Sequence, residues 1–292
     1  MTNQSKAYLY AGTAVLMWST VGSAFKLTLR FLSPVEMLLQ ASLVSVVILF
    51  IILLSQKKLQ VLRATGWKDL FRSALNALLN PLFFYIVLFY AYDLLLTQEA
   101  MVLNFTWPVT LTLLSVILLK QKIGWISLLA ILISFTGILI IATKGQLTSL
   151  KFTNPTGVAL ALGSTVIWSL FWIVNLKDKR DEVVKLFLNF SFGFVYILVT
   201  ALILGVIKVP PWKAVAGAAY IGIFEMGIAY VFWLKGLQLS STTAKVSILI
   251  FLAPFVSLVL INLAVGEKIL WSTFAGLALI MAGIIFQRFA RS

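Results

Sequence analysis

Leu103-Asn-Phe-Thr-Trp-Pro108 and, 146 residues further on, Leu249-Ile-Phe-Leu-Ala-Pro254 share leucine, phenylalanine and proline in one register. The same offset places Lys122-Ile-Gly-Trp125 on Lys268-Ile-Leu-Trp271 and Gly137-Ile138 on Gly283-Ile284, and an offset of 150 places Trp18-Ser19 on Trp168-Ser169. Apolar helices match by chance easily, but proline, tryptophan, lysine and glycine do not recur together at one spacing by chance. The chain reads as a duplication, residues 1–145 followed by residues 146–292.

The material around these motifs is apolar throughout. Of 292 residues, 61% are hydrophobic and 11% charged, against roughly 45–50% and about 25% in soluble domains. Lipid is the solvent such a surface requires. A helix needs about 20 mainly apolar residues to cross the hydrocarbon, and ten stretches qualify: 7–29, 34–55, 69–93, 96–119, 124–142, 156–176, 184–206, 212–238, 241–264 and 270–288. The first is too long for a signal-peptide core and lacks a small-residue cleavage site, so it reads as a span. The expected fold is an all-α membrane protein with ten transmembrane helices. Five spans per half is an odd number, so the second half enters from the opposite side, and the halves form inverted five-helix repeats. That plan recurs in secondary transporters, whose sites lie near the midplane at the repeat interface.

Charge orients the bundle. With a cytoplasmic N-terminus, 16 of the 23 Lys and Arg fall on the cytoplasmic side, among them Lys57, Lys58, Arg63, Lys68 and Arg72, as the positive-inside rule requires. Both termini are therefore expected in the cytoplasm of a plasma membrane, the inner membrane of a bacterium. The net charge of +14 is absorbed by topology and anionic lipid, and a nucleic-acid partner is not expected. Cysteine and histidine are absent, which removes thiolate and imidazole metal sites, Ser-His triads and imidazole proton relays. No metal or cofactor is expected. No Walker-type glycine-rich loop occurs, which argues against ATP driving. A membrane enzyme would need intramembrane Asp pairs or ligand clusters, whereas Glu225 is the one deep carboxylate in this reading, with Asp93 and Glu99 at a span boundary. A channel is the remaining alternative.

Candidate site residues follow from the span pattern. Pro108 and Pro254 lie mid-span at matching positions, where each removes a backbone donor and frees a carbonyl. Paired interruptions of this kind point to a transporter site, and Pro81 marks a third. Asn104 and Trp107 lie within one turn of Pro108. Asn76, Asn80 and Phe84 recur every fourth residue, as do Trp168 and Trp172, followed by Asn175. Thr243, Ser247, Phe251 and Pro254 share a face. Such aromatic and amide walls suit an amphipathic solute, although amides also serve simply to join helices. Glu225 falls mid-membrane in the eighth span, with Gly222 and Ala229 on its expected face. A charge there costs roughly 2.5–3.5 kcal/mol on the translocon scale. It binds a substrate ammonium, carries a coupled proton, or pairs with Lys26 or Lys245. Lys26, Lys235 and Lys245, near span ends, are otherwise expected to snorkel, and Gly137, Gly276 and Gly283 to permit close packing.

Leu16-Met-Trp-Ser-Thr20, Gly227-Ile-Ala-Tyr-Val-Phe-Trp233, Ala253-Pro254, Gly266-Glu267, Trp271, Gly276 and Gly283 together resemble the drug/metabolite transporter superfamily, specifically its EamA-type members. That resemblance covers nearly the whole chain. Val102-Leu-Asn-Phe-Thr-Trp-Pro108, Ile167-Trp-Ser-Leu-Phe-Trp172 and Asn175 look most like the aromatic amino acid exporter branch. The chain departs from the pattern at Gln121, where the second half has Glu267, and at Glu225. The resemblance implies ten helices, transport of small metabolites such as amino acids by alternating access, and a monomer or homodimer. It adds Trp18 and Tyr230, from the two longest motifs, to the expected substrate contacts.

Overall fold

The computed structural model describes residues 2–119, 125–146, 154–176, 178–241, 246 and 248–289. Among them there are helices and connections but no strand. In lipid an α-helix satisfies its backbone within its own segment, and the apolar runs fold accordingly. In chain order the helices are α1 (Asn3–Leu29), α2 (Pro34–Ser55), the short α3 (Leu59–Arg63), α4 (Trp67–Leu94), α5 (Thr97–Asn104), α6 (Trp107–Leu119), α7 (Trp125–Ala142), α8 (Pro155–Leu176), α9 (Glu182–Ile203), α10 (Trp212–Leu239), α11 (Ala253–Val265) and α12 (Trp271–Phe289). A 3₁₀ turn, Ile248–Leu252, leads into α11. Five of these, α2, α4, α8, α9 and α10, are long and apolar enough to cross a membrane, and α7, α11 and α12 contain shorter apolar runs.

Starts and stops are legible in the residues. Ser33 opens α2 with a capping box: its hydroxyl accepts from the Glu36 amide, and Glu36 Oε2 accepts from the Ser33 amide at 2.9 Å, ahead of Pro34. Asp181 accepts from the amides of Val183 and Val184 to cap α9. Gly266, at φ +79°, ends α11 in the left-handed region.

Along α2 the outward residues are Leu43, Val47, Phe50, Ile51 and Leu54, while Ser42 and Ser45 are buried with Met37, Leu38 and Leu49. Apolar outside with small polar groups inside is the arrangement of a helix whose outer face meets lipid. The interior holds α1 against α10 and α11, α8 against α4 and α6, α2 against α9 and α10, and α9 against α4. α7 and α12 pack on each other. A Cβ on Gly137 would lie 2.6 Å from the Gly276 carbonyl oxygen, and one on Gly283 2.6 Å from that of Ala130, so these glycines do permit the close packing expected of them.

Three interruptions break helical regularity. α4 passes through a π-helical segment, Leu78–Phe83, in which Asn80 leaves the helical region and Pro81 packs on Gly193 of α9. α10 has its own π-helical segment, Ile221–Ile228, with Glu225 inside it. The Ser45 hydroxyl donates to the Met226 carbonyl at 2.9 Å, supplying a partner where the α-ladder is disturbed. The expected span 96–119 is two helices, because the chain turns at Phe105 and Thr106 and restarts at Trp107. Pro108 and Pro254 therefore occupy the first turn of α6 and of α11, where the missing donor breaks no bond.

Candidate functional site

Helices α1, α4, α5, α6, α8, α10 and α11 and the turn before α11 surround a cavity of about 130 Å³. Trp18, Phe84, Asn104, Trp107, Trp168, Trp172, Glu225 and Tyr230, each expected at the site from sequence, line it together. Phe84 and Trp168 stack with centroids 4.6 Å apart, Trp172 meets Trp168 edge-on at 5.8 Å, and Trp18 stands edge-on to Tyr230 at 6.0 Å. The wall is thus an aromatic box assembled from helices distant in sequence.

Glu225 is the charged member of that wall. Its Oε1 accepts from the Tyr85 hydroxyl at 3.0 Å, while Oε2 is buried without a hydrogen-bond partner. Behind it, the Tyr85 and Tyr230 hydroxyls are 3.4 Å apart, and Asn80 Nδ2 donates to Tyr230 at 3.4 Å. A carboxylate this deep needs a counter-charge or a proton, and none of the ion pairs formed among the described residues includes Glu225. The buried Trp172 indole N–H also lacks a partner, so the wall holds an unpartnered donor as well as an unpartnered acceptor. Asn104 donates to the Ser164 hydroxyl at 2.9 Å.

Several expectations need correction. Lys26 neither pairs with Glu225 nor snorkels: its ammonium donates to the carbonyls of Tyr92 at 2.7 Å and Leu95 at 2.8 Å, capping the end of α4. Asn76, Asn80 and Pro81 are buried away from the cavity lining, because the π-helical segment changes the phase of α4 and Phe84 alone of that stripe reaches the cavity. Gly222 likewise faces α2, against Ala41 and Val44. Pro108 and Pro254 shape the wall without lining it; their neighbours Trp107 and Ile250 do. Phe251 packs against the core. Ser247, with Thr243, Lys245 and Gln121, lies outside the described residues. Glu99, expected at a span boundary, sits in the first turn of α5, buried and 3.7 Å from Lys144. Tyr85 was not anticipated: one residue after Phe84, it leaves the four-residue stripe, and its partner lies 140 positions away. Trp233 and Ser257 also line the cavity; Trp233 closes a motif already visible in the sequence.

Both ends of the bundle are tied by polar contacts. Near Lys26, Glu267 accepts from the Thr97 amide at 2.9 Å and hydroxyl at 2.7 Å and so caps α5. Gln98 grips Lys268 and Leu270 through backbone bonds of 2.9 Å each. At the opposite end, Arg180 binds Asp178, the Asp69 carbonyl and Ser73, and Lys58 pairs with Asp181 at 2.8 Å. Burial alone would raise the Asp178 and Asp181 carboxyls, but hydrogen bonds from Arg180 and Lys58 outweigh it and hold both below the ordinary range.

Apolar outer faces around an aromatic-walled interior cavity with one carboxylate in its lining suit a multi-pass membrane protein of the transporter class. The profile of the EamA-like transporter family, within the drug/metabolite transporter superfamily, matches residues 5–143 and again 155–288, and the chain belongs to that family. Similar curated proteins are an uncharacterized transporter of Archaeoglobus fulgidus, 22% identical across 96% of this chain and 97% of its own, and one of Clostridium kluyveri, 25% identical across 97% and 93%. The uncharacterized transporter YdeK of Bacillus subtilis is 31% identical over 48% of this chain and 50% of its own. A crystal structure of a protein 20% identical superposes with a TM-score of 0.66, covering 98% of each chain, which establishes likeness of fold. Family and relatives point to a transporter rather than an enzyme.

Proposed function

We propose that the protein is a secondary transporter, acting as an exporter, of small amphipathic solutes bearing an ammonium group, with amino acids, aromatic ones among them, as the leading class. One observation carries this reading: a buried carboxylate oxygen without a partner in the wall of an aromatic cavity. Glu225 Oε2 would receive the ammonium, the box of Trp18, Phe84, Trp168 and Trp172 the apolar body, and the Trp172 N–H a carboxylate oxygen.

Alternating access through ten helices in two inverted repeats is the accompanying mechanism. Exchanging each span with the one five later turns the α1–α10 contact into α8–α4, α1–α11 into α8–α6, and α2–α10 into α9–α4. The same exchange relates the π-helical segments of α4 and α10, and the restarts at Pro108 and Pro254. These correspondences, with the twofold family match, support the layout and the two half-protein domains. A volume of about 130 Å³, beside roughly 300–1,000 Å³ for ligand pockets, fits a constricted state that widens on opening. Proton coupling through Glu225, cytoplasmic termini and a bacterial inner-membrane location belong to the same proposal.

Purified protein in liposomes should exchange labelled phenylalanine or tryptophan in counterflow, and Glu225→Gln should abolish it. Absence of flux across a broad panel of amines and amino acids sinks the reading. Among the described lining residues there is no lysine or arginine, which favours one second reading, an aromatic amine without a carboxylate; tryptamine against tryptophan in the same assay separates the two.

A further inference from the structure

A second hollow of about 590 Å³ lies on the opposite side of α1 from the cavity, walled by α1, α10 and α11. Its wall is mainly apolar, including Leu27, Phe31 and Leu260, and Arg30 and Lys213 are its charged lining residues, with no Asp or Glu in the lining. Arg30 Nη2 donates to the Val265 carbonyl at 3.4 Å, which keeps the guanidinium near the end of α11. Exposed Trp212 precedes Lys213, an aromatic where the interfacial belt is expected. Deeper in, Thr20 and Tyr220 are joined by a 2.6 Å hydrogen bond, and the buried Ser23 hydroxyl has no partner. Arg30 and Lys213 are among the seven cations that the positive-inside pattern leaves on the outer side, so topology does not account for them.

We infer that this groove is a binding site for an anionic phospholipid, its headgroup phosphate held by Arg30 and Lys213 and one acyl chain lying along Leu27, Phe31 and Leu260. Positive charge at the rim and an apolar trough beneath it together specify a molecule that joins a phosphate to a hydrocarbon chain. A free phosphate would leave the trough unused, and a neutral lipid would leave the two cations unmatched. The groove shares all three of its helices with the transport cavity: Trp18 and Gly22 on α1, Glu225 on α10 and Ser257 on α11 line that cavity. A seated lipid therefore braces the wall that any opening must move.

The test uses the full chain, delipidated in detergent and titrated with phosphatidylglycerol, with phosphatidylcholine of the same acyl chains, or with soluble glycerol 3-phosphate, with retained ligand counted by native mass spectrometry. Phosphatidylglycerol should be retained over phosphatidylcholine, and glycerol 3-phosphate should not compete. At about 1 kcal/mol per cation near a membrane surface, near fivefold each, Arg30→Ala/Lys213→Ala should weaken phosphatidylglycerol retention about 25-fold. Ala264→Trp, which fills the trough and spares both charges, should weaken retention of both lipids. Equal retention of the two lipids by wild type overturns the proposal without any variant. Competition by glycerol 3-phosphate, or unchanged binding by both variants, overturns it as well.

Discussion

Replacing Tyr85 by Phe removes one oxygen and leaves the ring in its buried place between Phe84 and Phe89. That oxygen donates at 3.0 Å to Glu225 Oε1, and Oε2 is already without a partner. In Tyr85→Phe the ionised carboxylate therefore stands with no donor on either oxygen. A hydrogen bond to a charged group contributes about 1.5–3 kcal/mol, which corresponds to about 10- to 150-fold in an equilibrium constant. Tyr85 does not line the cavity, so its effect passes through the two lining groups its hydroxyl meets, chiefly the Glu225 carboxylate at 3.0 Å and more weakly the Tyr230 hydroxyl at 3.4 Å. Affinity for an ammonium-bearing solute should fall by that factor, while affinity for a neutral analogue of the same ring should stay within about twofold. The assay is solute-induced thermal stabilisation or equilibrium binding in detergent, run as a double-mutant cycle with Glu225→Gln. If Tyr85 acts through Glu225, the double variant binds no more weakly than Glu225→Gln alone. Additive losses, or full affinity in Tyr85→Phe, would refute the reasoning.

Other outcomes follow from the same geometry. Gly137→Val, which drives a side chain into the Gly276 backbone, should cost about 1–3 kcal/mol and lower the thermal midpoint, whereas Gly12→Ala, with nothing within 4 Å of its Cβ, should leave the midpoint unchanged or raise it. Glu267→Ala, losing the cap on α5, should cost about 1–2 kcal/mol and speed amide exchange at Thr97 and Gln98. The Asp178 and Asp181 carboxyls are held below their unfolded range of about 3.9. Their stabilisation is complete above that value and is lost as pH falls below it. Arg180→Ala should therefore lower the midpoint at pH 7, and its gap to wild type should narrow towards pH 3. Trp168→Ala, removing the ring that stacks on Phe84, should abolish binding of aromatic solutes before that of small aliphatic ones.

The all-helical chain and most of the cavity wall were legible because lipid enforces a simple code. Long apolar runs must be helices, and a tryptophan, amide or carboxylate within one usually faces protein. Asn104, Trp107, Trp168 and Glu225 are legible on that basis, whereas Trp18 and Tyr230 come from the family resemblance. What escaped was phase. A stripe of every fourth residue assumes an unbroken α-helix, and the π-helical segments at Leu78–Phe83 and Ile221–Ile228 rotate whatever follows them. Phe84, which follows the first segment, is therefore out of phase with Asn76 before it and Asn80 within it, and Tyr85 falls off the four-residue stripe. Lys26 was misread for a different reason: its distance from the span end suggested snorkelling, but the carbonyls it serves belong to another helix, which local sequence does not reveal.

The glycine contact between α7 and α12 has a consequence for how such a protein diversifies. Among the described residues, neither helix contributes a side chain to the cavity wall, and each packs chiefly on the other. Selection for a new solute therefore acts on one set of helices, and selection for assembly in the bilayer on another. A lineage can rewrite Trp18, Trp172 or Glu225 without revisiting the joint that holds the outer pair together. Changes at Gly137 or Gly276, by contrast, would be removed whatever the cargo.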